Sequence, residues 1–161
     1  MKIAVMSDVH DNIWKLEAAL LQAQPAELLI FCGDFCAPFT LKQIAEGFAR
    51  PIHVVFGNND GDRFLLTRIA SKFGHVTLHG EFAHLTLNAY HIAVNHYPEI
   101  ARPLAQSGQY QAVFYGHDHT HHIETIGACH LINPGEIMGR FGKSTFVIFD
   151  TTTGQCQTLE V

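Results

Sequence analysis

Five short apolar runs in this chain each end in residues able to hold a cation. "KIAVMSDVH" delivers Asp8 and His10, and "ELLIFCGDF" delivers Asp34. "PIHVVFGNND" delivers Asn58, "HIAVNHY" delivers His96, and "QAVFYGHDH" delivers His117 and His119. Carboxylate oxygens, an amide oxygen and imidazole nitrogens are all ligands for divalent cations. Each residue alone has a blander account: Asp8 caps a helix, "GD" and "GNND" make turns, and His96 packs in a core. On an extended backbone, residues i and i+2 point to one side, which pairs Asp8 with His10 and His117 with His119. Gly116 lets the backbone approach closely there. Without a cation, gathering Asp8, Asp34 and the imidazoles at one buried rim costs on the order of several kcal/mol per ion. The full set exceeds what one tetrahedral zinc needs. It suits two divalent cations that share a bridging carboxylate and keep positions open for water. Oxygen and nitrogen donors without thiolate suit manganese, nickel, iron, cobalt or zinc and do not choose among them; manganese is taken as the first expectation.

Such residues meet only if the strands that carry them end on the same edge. Short Val-, Ile- and Phe-rich runs bounded by Gly, Asn and Asp read as strands, and loss of polar alternation marks burial on both faces. Helical spacing follows Asp11 and Asn12 through Ile13, Leu16, Leu20 and Ala23, until Pro25. Further helices are expected over 41–48, over 63–73 up to Gly74, and over 100–106. Alternating strands and helices imply βαβ units around a partly parallel sheet. Ligands bind outside the carboxyl ends of such strands. The later chain reads as tightly joined strands: "VTLH", a Gly-Glu turn, "FAHLTL", a turn at Asn88, and "YHIAVN". "HIETIG", "CHLIN", "STFVIFD" and "QCQTLEV" follow, with a Thr-Thr-Gly turn before the last. Helices early and hairpins late predict an α/β architecture of two sheets packed face to face with helices outside.

Length and composition bound the possibilities. The 161 residues suffice for one domain, expected to span 1–161, with no repeat, linker or low-complexity segment. Net charge is −5, and the 10 Lys and Arg are scattered. That excludes a dedicated nucleic-acid or anionic-membrane surface, which needs clustered cations. The apolar stretches are too short to span a bilayer, and the N-terminus carries no signal-peptide pattern, so a cytoplasmic location is expected. Cys32, Cys36, Cys129 and Cys156 have no zinc spacing and read as reduced, mostly buried side chains. "FAHLTLNAY" offers either an edge strand for homo-oligomer formation or an ordinary hairpin.

In this order, "DVH", "GD", "GN", a lone His and "GHDH" resemble the blocks of calcineurin-like metallophosphoesterases. "MSDVHDN", "GNND" and the short length are most similar to the small bacterial and archaeal phosphodiesterases of that superfamily. "INPGEIMGR", residues 132–140, resembles a late family block in which Ser usually stands where Glu136 does. The resemblance implies a four-layer αββα sandwich with two mixed sheets flanked by helices. It implies Asp8, His10, Asp34 and His119 around one metal. Asp34, Asn58, His96 and His117 would surround the other, with Asp34 bridging. It further implies hydrolysis of a small phosphodiester by in-line attack of a metal-bridging hydroxide. A neutral Asn58 ligand would leave the second cation more electrophilic.

Within "FGNND", Gly57 is expected to let the chain turn. Asn59 and Asp60 are the candidate catalytic pair, and Asn59 departs from the family pattern. Much of the superfamily has a histidine there, which assists the leaving group and is oriented by the acid that follows. An amide is no general acid at neutral pH, so good leaving groups on diesters are expected over alkyl monoesters. His121 and His122 are read either as substitute proton donors or as an exposed polar pair opening the next strand. His53, His75, His79, His84, His91 and His130 are read as structural. A rival reading is an inactive protein-binding scaffold resembling the eukaryotic retromer subunit. A metal amidase is a third, because a metal site does not dictate the scissile bond.

Overall fold

Consecutive residues of the early strands are buried on both sides, which forces each strand between two packed layers. The structure, a computed structural model, describes residues 1–87 and 89–161. The turn expected at Asn88 lies outside the described residues. In chain order the elements are β1 Lys2–Met6, α1 Ile13–Gln22, β2 Leu28–Phe31, α2 Pro38–Gly47, β3 Ile52–Val54, α3 Arg63–Ala70 and β4 Val76–Leu78. They continue as β5 Phe82–Leu87, β6 Tyr90–Asn95, α4 Pro98–Gln106, β7 Ala112–Phe114, β8 His122–Ile126, β9 Cys129–Asn133, β10 Thr145–Asp150 and β11 Gln155–Glu160.

One sheet runs β11-β10-β1-β2-β3-β4 and the other β5-β6-β7-β9-β8. Both are mixed. Strands β1 to β4 pair in parallel, as do β6, β7 and β9, while β10, β11, β5 and β8 pair antiparallel. Three apolar clusters define the four layers of the αββα sandwich. Leu16, Leu20, Leu41, Ile44 and Leu66 of α1 to α3 pack on Ala4, Met6, Leu29 and Val54. Ile3, Val5 and Ile30, on the opposite face of the same strands, meet Leu85, Val94, Phe114 and Ile132 between the sheets. Ala101 and Ala105 of α4 cover Ala93, Val113 and Leu131.

Two helices begin earlier than their apolar spacing indicates. Both α2 and α4 open on proline, at Pro38 and Pro98. Proline is favoured there because its fixed φ suits the first turn and its missing N–H is no loss. Of the two expected caps, Asn12 caps α1, accepting from Lys15 N. Asp11 instead accepts from Ala37 N and Thr40 Oγ1 at the start of α2, so it ties the first two helices together. The hairpin of "FAHLTL" and "YHIAVN" pairs Phe82 with Asn95 through Leu87 with Tyr90, and β5 and β8 are the edge strands of their sheet.

Candidate metal centre

The carboxyl ends of β1, β2 and β3 in one sheet and of β6 and β7 in the other meet at one rim. Asp8 and His10 follow β1, Asp34 follows β2, Asn58 follows β3, His96 follows β6, and His117 and His119 follow β7. The structure therefore brings all of these predicted ligands together. The local reason differs from the expected one. The strands end at Met6 and Phe114, so neither i, i+2 pair stands on extended backbone. Asp8, His10, His117 and His119 adopt left-handed φ of 54°, 43°, 76° and 58°, and Asp34 joins them at 56°. Non-glycine residues held this way cost on the order of 1–3 kcal/mol each and cluster at functional sites. Successive turns, not a strand, aim these side chains.

Two cradles result. The Oδ1 of Asp8 lies 3.7 Å from His10 Nε2 and 3.6 Å from His119 Nε2. The Oδ2 of Asp34 lies 3.5 Å from His10 Nε2 and 3.3 Å from His96 Nε2. Asn58 Oδ1 approaches His96 Nε2 at 3.1 Å and His117 Nδ1 at 2.9 Å. The carboxylate–imidazole gaps exceed good hydrogen bonds. They fit donors set about 2 Å from a common ion, which stand roughly 3–4 Å apart. Asp8 Oδ1 and His10 Nε2 are buried without any hydrogen-bond partner. Ligand atoms of Asp8, His10 and His119 lie within 4.8 Å of one another, and so do those of Asp8, Asp34 and His96. Orphaned donors and a mixed oxygen–nitrogen set fit divalent cations.

The imidazoles are oriented from behind. His96 Nδ1 lies 2.7 Å from Cys32 O, a geometry in which Nδ1–H donates and Nε2 keeps its lone pair for the rim. His119 Nδ1 lies 2.7 Å from Glu136 Oε2, with the same result. Such outer partners fix the tautomer of a metal-binding histidine. Burial pushes the Asp34 carboxyl up, but the adjacent His96 imidazole and the hydrogen bonds from Asn59 outweigh it and hold it well below the usual carboxylate range. The Asp8 carboxylate raises the His10 imidazole against burial. Cys36, whose Sγ lies 3.6 Å from His10 Nδ1, has its thiol pushed up to about 12 by burial and then by nearby carboxylates. It is a neutral thiol at pH 7 and no reactive nucleophile.

"FGNND" divides its work differently from the expectation. Gly57 has no left-handed φ; that role belongs to Gly33, at φ 97°. A Cβ on Gly57 would stand 2.2 Å from Asp34 Oδ1, so the glycine makes room for that carboxylate. Gly116 does the same beside Asp8, where a Cβ would lie 2.6 Å from Oδ2. Asn59 donates its backbone N–H to Asp34 Oδ1 at 2.8 Å and its side-chain Nδ2 to Oδ2 at 2.7 Å. Asp60 is buried and accepts from the backbone N–H groups of Asp34, Cys36 and Gly57. Burial raises its carboxyl above the ordinary value even against these donors. Asp60 thus fastens the loop after β2 to the loop after β3. These three donors are all main-chain groups, one of them the N–H of Asp34 itself.

Other histidines sit elsewhere. His121 Nε2 lies 2.8 Å from Thr158 Oγ1, and His122 Nε2 lies 3.0 Å from Glu124 Oε2 at the start of β8. His53 pairs with His79, His84 with His91, and His75 with Ala45 O, all outside the rim. The ring of His130 packs on Phe149. A cavity of about 670 Å³ between α1 and α2 is lined by Leu20, Leu21, Phe39 and Lys42 and contains none of the candidate ligands.

Sequence reasoning left two neighbours without a role. Glu136, fully buried, grips His119, and Phe141 packs on the His119 ring. Glutamate in place of serine in "INPGE" was the signal for the first. A phenylalanine set among glycines and basic residues in "GRFGK" was the signal for the second.

A rim of Asp, Asn and His at the carboxyl ends of strands in a four-layer αββα sandwich defines a metallophosphoesterase fold. Residues 1–154 match the calcineurin-like phosphoesterase superfamily domain, and the chain belongs to that superfamily. A phosphodiesterase from Methanocaldococcus jannaschii is 31% identical over 156 residues, which covers 94% of this chain and 93% of the relative. The solved structure of an archaeal phosphodiesterase superposes with a TM-score of 0.92 at 28% identity, covering 100% of both chains. Vps29 from Entamoeba histolytica, solved with zinc, shares the fold at TM-score 0.70 and 16% identity, with 99% of each chain covered.

Proposed function

We propose that this chain is a dinuclear-metal-dependent phosphodiesterase. The observation that carries the reading is the pair of orphaned, buried ligand atoms, Asp8 Oδ1 and His10 Nε2, facing the other donors across the rim. The similarity to relatives described as phosphodiesterases supports the choice of reaction. Asp8, His10, Asp34 and His119 would hold one cation. Asp34, Asn58, His96 and His117 would hold the second. When bound, divalent cations supply Lewis acidity at the phosphoryl oxygens and lower the pKa of a water nucleophile.

The protein's own residues set geometry and selectivity. Asp60 and Asn59 hold Asp34 between the two cradles. His96 and His119 present Nε2 because Cys32 O and Glu136 occupy their other nitrogens. Asn59 carries no titratable proton, so departure of the leaving oxygen depends on that group's own acidity. Diesters with good leaving groups are therefore the substrates, and manganese is the first metal to try. All four cysteines are free, and among the described residues no helix is long and apolar enough to cross a membrane. On the free thiols we place the activity in the cytoplasm.

Metal analysis joined to a substrate panel tests the reading. Manganese-loaded protein should hold two metals per chain and hydrolyse bis(p-nitrophenyl) phosphate faster than p-nitrophenyl phosphate. Protein that retains no stoichiometric metal and is inert on both would be the scaffold instead.

A further inference from the structure

Among the described residues the two sheets end on four strands, β11, β4, β5 and β8. A free strand edge is a row of unpaired N–H and C=O groups, and proteins blunt it with short length, charge or proline. Three of these edges are blunted. β4 has only 3 residues. β8 carries Glu124, paired with Arg102, and β11 carries Glu160, paired with Lys143. β5 differs from all of them. "FAHLTL" runs 6 residues without charge or proline, and its register against β6 is continuous, without a bulge.

The direction of its main-chain groups follows from β6. His91 donates its N–H to Gln111 Oε1 at 2.7 Å, and its carbonyl accepts from Gln111 N at 2.9 Å, so both groups point away from β5. Thr86, its register partner, therefore belongs to a non-hydrogen-bonded pair. By the same alternation, His84 and Phe82 join Thr86 in turning N–H and C=O to the free edge. Their side chains do not cover it. The His84 ring meets Tyr110 in a T-shaped contact and lies 3.3 Å from His91 Nδ1, and Thr86 Oγ1 lies 3.2 Å from that same atom. Both side chains thus lean inward over the hairpin. Phe82, 42% exposed, stands open beside the edge.

We propose that β5 pairs antiparallel with β5 of a second copy of this chain, joining one sheet from each copy across a two-fold axis. Such an isologous contact sets each residue against a fixed partner. Outward side chains must stand opposite outward side chains, and the edge-directed groups of Phe82, His84 and Thr86 must meet their like. The register that uses all three places His84 opposite the second copy's His84, and Phe82 opposite the second copy's Thr86. Each pair then exchanges both N–H···O=C bonds, and Phe82 packs on a β-branched side chain. The absence of charge lets β5 face itself, whereas the carboxylates of β8 and β11 would confront their own copies. A single strand pair is a small interface, so the dimer is concentration-dependent.

Sedimentation equilibrium between about 10 and about 500 µM should show the mass rise from 17.9 kDa towards twice that value. His84→Pro removes an edge-directed N–H but no bond to β6, and should raise the dimer dissociation constant about tenfold or more. His84→Glu sets like charges opposite each other and should weaken the dimer in the same direction. Gln157→Glu, on β11, should leave the mass curve unchanged. Amide exchange in the wild type, read residue by residue by NMR, needs no variant. The N–H groups of Phe82, His84 and Thr86 should exchange about tenfold more slowly at the high concentration than at the low one. A mass of 17.9 kDa throughout overturns the proposal. So does a dimer that both His84 variants leave intact, or one in which those three amides exchange equally fast at both concentrations.

Discussion

The Nδ1 of His119 lies 2.7 Å from Glu136 Oε2, while Glu136 Oε1 accepts from the backbone N–H groups of Phe141 at 2.6 Å and Gly142 at 2.9 Å. One buried carboxylate thus holds a candidate metal ligand and the loop beside it. Burial raises its carboxyl, and these three donors outweigh burial and keep it below the ordinary value.

Glu136→Gln should therefore weaken metal binding. The amide retains one acceptor oxygen but loses the charge that steadies the His119 N–H. Outer partners of metal-bound histidines typically contribute about 10–100-fold in affinity or activity. Competition with a fluorescent chelator should detect a loss on that scale for manganese. Unchanged affinity would confine Glu136 to holding the loop.

Gly57→Ala tests a tight contact at the rim. Its Cβ would stand 2.2 Å from Asp34 Oδ1 and 2.8 Å from Asp34 N. Overpacking of this kind costs about 1–3 kcal/mol. Denaturant unfolding should show that loss, and metal analysis should show depleted binding, because Asp34 contacts both cradles. Gly61→Ala is the control, since a Cβ there meets nothing within 4 Å. Equal stability in the two variants would refute the contact.

These residues mark how much was readable in the sequence. The convergence of the candidate ligands was legible because each closes an apolar run, and strand ends on one edge must converge. The four layers were legible from helices early and hairpins late. The local geometry was not. Spacing of i, i+2 suggested extended backbone at Asp8 and His10, whereas left-handed turns aim them. A one-dimensional pattern records separation along the chain but not the sign of φ. The work of Asp60 was equally hidden. Its three partners are backbone N–H groups at Asp34, Cys36 and Gly57, and main-chain donors leave no trace in residue types.

Asn59 sets the expected substrate profile. Its amide is committed to Asp34 Oδ2 at 2.7 Å and has no proton to give a departing alkoxide. Positioned general acids contribute about 10²–10⁴-fold. Asn59→His should raise turnover of alkyl phosphomonoesters by about tenfold, less than the full effect because Asp60 is already engaged by three backbone amides. Rates on bis(p-nitrophenyl) phosphate should rise far less, since that leaving group needs no proton. Steady-state kinetics on both substrates measures the split. A wild type that hydrolyses alkyl monoesters efficiently, or a substrate profile unmoved by the substitution, would remove Asn59 from this role.

The imidazoles of His53 and His79 lie 2.8 Å apart, away from the rim. Burial lowers both, and the neighbouring His79 lowers His53 further. In the folded protein they therefore resist protonation, while in the unfolded chain they accept protons near the ordinary value of about 6.5. As pH falls through that range the unfolded state binds more protons than the folded state, so stability falls with it. Above that range the contribution is fully present. In thermal unfolding of chelator-treated protein, the wild type should lose Tm relative to the His53→Gln, His79→Gln double variant as pH is taken from 8 to 5. The rim histidines, of which His10 is raised and acts in the opposite sense, are common to both proteins and cancel in that comparison. Parallel curves for the two proteins would mean that this pair is not protonated on unfolding.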